Sequence, residues 1–128
     1  MDPETVLQDC VVRVAPESYA VVTADGEVPH AFATIDDGRE RTHVVTEERL
    51  DDVETDQCER GWTRLTFDVE LPFDLVGFLA VVASALAERD VSVFVLSAYS
   101  TDHVLVRRAD LEEALAALSE LGCVVRRD

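Results

Sequence analysis

Between residues 63 and 71 the side chains alternate. Leu65, Phe67, Val69 and Leu71 fall on one side, and Arg64, Thr66, Asp68 and Glu70 on the other. That period of two predicts a half-buried strand. Pro72 ends it, and Asp74 stands in position to cap a helix over residues 75–89. This second segment is apolar on most of its circumference, so it is expected to pack on a sheet with one side and on another protein surface with the other. Residues 91–97 are short and rich in Val and Phe, which predicts a buried strand. Residues 100–102 read as a turn and 103–107 as the next strand. Asp110 and Glu113 form a capping pair ahead of a helix with Leu111, Ala114, Leu115, Leu118 and Leu121 on one face. Gly122 is its C-terminal stop, and 123–126 a final short strand. Strand, helix, strand, strand, helix, strand is the ferredoxin-like βαββαβ order, an α+β fold with two helices on one face of the sheet.

The first half is less regular. Residues 10–14, 19–23, 31–35 and 43–46 read as short strands, with Ala24-Asp25-Gly26 and Asp36-Asp37-Gly38 as turns. Residues 47–53 have room for a helical turn or two, and the acidic run around residues 47–60 reads as a surface connection. The expected division is a strand-rich, irregular unit over 1–58 and a regular α+β unit over 59–128.

Charge changes the picture most. Twenty-seven acidic residues face 11 basic ones, all arginine, for a formal charge of −16 on 128 residues. Such self-repulsion destabilises a small domain unless salt screens it, and at molar salt the screening length falls to about 3 Å. A lysine-free acidic surface around an ordinary core is what a salt-in halophile makes. The rival reading, an acidic partner surface, fits less well because the acids are scattered. No basic stripe supports nucleic-acid binding. The longest apolar run is too short for the ~20 residues of a membrane helix, and the N-terminus lacks the basic start of a signal peptide. A cytoplasmic protein is expected, with no membrane partner. Hydrophobic residues make up 48% of the chain, enough for a packed core.

Cys10, Cys58 and Cys123 are odd in number and widely spaced, which reads as reduced thiols packed as small hydrophobes. His30, His43 and His103 show no metal-ligand spacing. No cofactor or metal is expected.

The densest polar grouping is Ser97-Ala98-Tyr99-Ser100-Thr101-Asp102. With the strands around it, this segment resembles an ACT domain. The matching residues are Phe73-Asp74-Leu75-Val76-Gly77, then Val91-Ser92-Val93-Phe94-Val95-Leu96-Ser97-Ala98-Tyr99-Ser100-Thr101-Asp102-His103-Val104-Leu105-Val106. The family's second segment runs as I-S-V-F-x-x-S-T-Y-x-T-D-Y-I-L-V. Small two-unit ACT proteins and the CASTOR-type arginine sensors carry this version. The likeness is dense over residues 60–127 and slight before them. It implies a noncatalytic regulatory or sensory module that binds an amino acid or similar metabolite at an interface between ACT units. The implied ligand-binding positions are Asp74, Leu75, Val76, Gly77 and Phe78 around the helix start, and Ser97, Tyr99, Ser100, Thr101 and Asp102 after the strand. Helix-start N–H groups suit a carboxylate, Gly77 permits close approach, and Asp102 suits an ammonium or guanidinium. Ala98 and His103 depart from the family's threonine and aromatic.

Each of these positions also has a plain structural reading, Asp102 as a turn cap above all. Two other functions compete: an assembly protein without a ligand, and a small hydrolase using Ser97 or Ser100 with His103 and Asp102. No G-x-S-x-G elbow is present, and consecutive strand residues point to opposite faces, which argues against the hydrolase. The apolar helix and the room for only two ACT units predict a homodimer.

Overall fold

The computed structural model describes residues 2–128 and divides them into two compact units. One comprises the stretch through Pro16 together with Thr63–Asp128; the other is Glu17–Trp62. The boundary thus differs from a division at residue 58. The first residues belong with the C-terminal ones because Leu7, Cys10, Val12 and Val14 share a single apolar core with Leu65, Phe67, Val104, Val106 and Leu118.

The larger unit opens on a five-residue helix, α1 (Pro3–Leu7), which the sequence pattern did not reveal. Asp2 caps it by accepting from Thr5 N–H at 2.8 Å. β1 (Val11–Thr23) follows as one 13-residue strand where two short ones were expected. The misleading signal was Pro16. It falls between the residues paired with the C-terminal strand and those paired with the other unit's hairpin, in neither pairing. The rest of the unit is β4 (Gln57–Asp68, from Thr63 on), α2 (Phe78–Ala87), β5 (Val93–Ser97), β6 (Asp102–Arg107), α3 (Leu111–Glu120) and β7 (Val124–Arg127). This is the expected βαββαβ order, ferredoxin-like and α+β.

Its strands run β1-β4-β6-β5, and β7 pairs in parallel with β1, Val11 opposite Val124. β1 therefore lies between β4 and β7. Phe78, Val82 and Leu86 of α2 and Ala114, Leu115, Ala117 and Leu118 of α3 are buried in the core. Two helix boundaries correct the sequence reading. The N-cap of α2 is Gly77 instead of Asp74, and Asp110 caps α3 without a side-chain hydrogen bond. The outer side of α2 also differs: Ala80, Ala83, Ser84 and Ala87 are the exposed positions, so it carries small side chains and not a second large apolar surface.

In the smaller unit, β2 (Ala33–Asp36) and β3 (Arg41–Thr46) form a hairpin, and β3 pairs antiparallel with the second part of β1, Tyr19 opposite Thr46. A 3-10 turn over Glu47–Asp52 follows. Ala20, Val22, Val45 and Leu50 make its small core. The segment read as a surface connection instead ends as strand: β4 begins at Gln57, so residues 57–60 belong to its ladder. No helix among the described residues is long and apolar enough to cross a membrane.

Candidate functional site

Pro72 stops β4's continuation, and the chain turns through residues 72–77 before α2 begins, with Leu75 N–H donating to Pro72 C=O at 3.1 Å. Gly77 sits at φ +89°, a left-handed geometry that favours glycine. The first intrahelical bond runs from Val81 N–H to Gly77 C=O at 3.1 Å. The N–H groups of Phe78, Leu79 and Ala80 precede it and have no acceptor within the helix, and no side chain caps them.

The opposite wall is the turn between β5 and β6. Ser97 pairs with Asp102 at the hairpin's end, and Ala98 N–H donates to Thr101 C=O at 2.9 Å. Two bonds fasten this turn to the end of β4: Leu71 N–H to Ser100 C=O at 2.6 Å, and Thr101 Oγ1 to Phe67 C=O at 2.6 Å. Between the two walls lies a cavity of about 430 Å³. Leu75, Gly77, Phe78, Ser97, Tyr99, Ser100, Thr101 and Asp102 all line it. Asp74 and Val76 do not; both are exposed on the turn before the helix.

The side chains divide by role. Phe78 is 4% exposed and meets Phe67 edge-on at 5.1 Å, so its ring belongs to the core beneath the cavity. Phe73 and Tyr99 stack edge-on at 4.7 Å at the rim, 76% and 80% exposed. Asp102 is 9% exposed and lines the cavity, and its charge bears on the neighbouring His103. The turn closes through backbone, so Asp102 does not cap it. Three residues with uncapped helix-start N–H groups and one carboxylate, all lining the same cavity, suit a small molecule with both an anionic and a cationic group.

Leu71, Pro72, Phe73, Leu79, Ala80 and Ala98 also line the cavity, and the sequence reading named none of them as contacts. Leu79 and Ala80 became legible only when the helix start moved to Gly77. The Phe73–Tyr99 stack joins residues from different turns, which no local pattern signals.

His103 lies outside the cavity lining. Its Nδ1 shares a 2.8 Å hydrogen bond with Thr66 Oγ1, which also accepts from Arg64 Nη1 at 2.7 Å. Burial first, and the positive charge of Arg64 second, hold its pKa below the ordinary histidine value, while Asp102 acts in the opposite sense. The imidazole is therefore engaged with Thr66, outside the cavity lining. Among the described residues no group of three or more His, Cys, Asp or Glu is placed to hold a metal ion.

The ACT domain profile matches residues 57–120, half of the 128-residue chain. The chain belongs to the ACT domain family. No curated protein sequence matches this ACT protein. Its fold is similar to an Agrobacterium tumefaciens protein, with 23% identity, TM-score 0.79 and 94% of each chain covered. It is also similar to a Vibrio cholerae protein of unknown function described as a possible transport protein, at 26% identity and TM-score 0.75, covering 93% of this chain and 94% of that one. The ligand-free regulatory subunit of aspartate kinase from Thermus thermophilus shares the fold at 11% identity and TM-score 0.60, covering 86% of this chain and 95% of that one.

Proposed function

We propose that this ACT protein is a noncatalytic regulatory module that binds a free amino acid in the cavity between the start of α2 and the β5–β6 turn. The observation that carries the reading is Asp102, a carboxylate that lines the same cavity as the three residues bearing uncapped helix N–H groups. The α-carboxylate of the ligand sits at the N–H groups of Phe78, Leu79 and Ala80, and its ammonium or a guanidinium pairs with Asp102. Ser97, Ser100 and Thr101 supply neutral polar contacts, and Tyr99 with Phe73 forms the mouth. The regulatory role is supported by family membership and by the fold shared with an aspartate kinase regulatory subunit.

The exposed rim favours a second element of the reading. Phe73, Val76 and Tyr99 stand 76%, 83% and 80% exposed beside the cavity mouth. A second copy covering them would make a homodimer with the ligand at the interface between ACT units. The charge supports a salt-rich cytoplasm as the working environment.

The test is a thermal-shift screen of the twenty amino acids in molar KCl. A specific ligand at 100-fold over its dissociation constant stabilises the protein by about 2.7 kcal/mol, so one amino acid or a chemically related group should raise the melting temperature by several degrees while the others do not. No shift with any of them would leave the assembly reading, in which the rim patch alone has a role.

A further inference from the structure

Cys10 and Cys123 come together in the fold although 113 positions separate them. They immediately precede the first matched pair of the parallel β1–β7 ladder, Val11 opposite Val124, and so face each other in register. Val124 N–H donates to Cys10 C=O at 2.8 Å, which holds the two backbones at ladder spacing at this point. Neighbouring strands lie about 4.8 Å apart, inside the Cα separation of roughly 4.4–6.8 Å that a disulfide spans. Residues in register on adjacent strands project to the same face, and both side chains lie in the same apolar core, 5% and 7% exposed. Cys58, the third thiol, is exposed and belongs to the other unit.

We propose that Cys10 and Cys123 are a redox site: a buried dithiol that closes reversibly to an intramolecular disulfide joining β1 to β7. This departs from the expectation of inert core thiols. The oxidant is a low-molecular-weight disulfide. Cys10 thiolate attacks one of its sulfurs, forming a mixed disulfide and releasing one small thiol. Cys123 then loses its proton to solvent and attacks the Cys10 sulfur, forming the internal S–S bond and releasing the second small thiol. Two protein thiols are oxidised and one small disulfide is reduced to two thiols, so electrons and protons balance.

The roles follow from the contact between the thiols. The proximity of Cys123 lowers the Cys10 pKa against the opposing effects of burial and of Asp68, while Cys10, with burial, pushes Cys123 well up. Cys10 is therefore the attacking group and Cys123 the resolving one. Access comes from β7, a four-residue, largely exposed strand paired with β1, the kind of element that opens locally at low cost.

The experiment uses the full chain with Cys58→Ala, which removes the exposed thiol and leaves the core untouched. The protein is incubated with oxidised glutathione in molar KCl, quenched in acid, unfolded, alkylated and weighed. The expected product has lost both alkylatable thiols and about 2 Da for two hydrogens. It carries no glutathione, yields a linked peptide pair containing residues 10 and 123, and returns to the dithiol with dithiothreitol. Because the bond closes a loop of more than 100 residues, the oxidised form should also melt about 5 °C or more higher. Two alkylated thiols after prolonged incubation would overturn the proposal. So would a stable glutathione adduct on Cys10 with Cys123 still free, since that shows the pair cannot close.

Discussion

Asp102 is the residue on which recognition of a cationic group turns. It sits at the end of the β5–β6 hairpin, opposite Ser97, and lines the cavity. Asp102→Ala is expected to melt close to the parent without ligand, yet to bind a cationic amino acid more weakly by about 1.5–3 kcal/mol. Calorimetry paired with melting curves checks this; a lower melting temperature with unchanged affinity would make Asp102 a structural residue. His103 makes a separate prediction. Its pKa is lowered in the folded state, so the unfolded chain takes up the proton first as the solution acidifies. Stability should therefore fall as pH drops through the unfolded value of about 6.5. His103→Asn should flatten that fall between about pH 7.5 and 5.5, and equal slopes for mutant and parent would discount the effect.

At the scale of elements, the start of α2 matters most. Gly77 at φ +89° aims the first helix turn into the cavity, and a Cβ there would meet only Pro3 Cγ of α1 at 3.6 Å, an ordinary contact. The cost of Gly77→Ala is thus conformational, about 1–2 kcal/mol for a left-handed L-residue. Chemical denaturation should report that loss, with ligand affinity falling alongside because the N–H groups shift. An unchanged midpoint would show that the turn relaxes freely. The same element decides where assembly can be tested. Phe78 lies in the core against Phe67, so a charge there would unfold the unit instead of probing a contact surface. Val76, outside the helix and 83% exposed, is the informative position.

The molecule as a whole carries −16 charges on 14.1 kDa. Its ion pairs are exposed, Arg13 with Asp68 and Asp128, Arg127 with Glu112, and such pairs add little. Repulsion among the unpaired acids dominates, so the melting temperature should climb steadily from dilute buffer to molar KCl. A flat profile would remove the argument for a halophilic origin. Light scattering in molar salt should give a mass near twice 14.1 kDa, with Val76→Glu returning the protein to monomer. A parent that is monomeric at micromolar concentration would sink the dimer.

Local pattern was enough for several features. The alternation through Leu65 and Phe67, the Ala-Leu periodicity of α3 and the polar run from Ser97 to Asp102 each lie within a few residues, and strand and helix periods act over that distance. From them came the βαββαβ order and the α+β class. The ACT likeness rested on the same segment, and so did the grouping of eight named residues that share one cavity. Other features depended on partners far along the chain. Whether Pro16 breaks β1 depends on which strands lie beside it, and the parallel pairing of β7 with β1 joins residues 11 and 124. That pairing draws the N-terminal segment into the C-terminal core and sets Cys10 against Cys123. The burial of Asp102 is likewise a property of packing: Asp in a turn segment reads as exposed until the walls around it are placed. Tertiary structure decided these because strand pairing and burial are set by the summed packing of distant segments, which no short window of sequence contains.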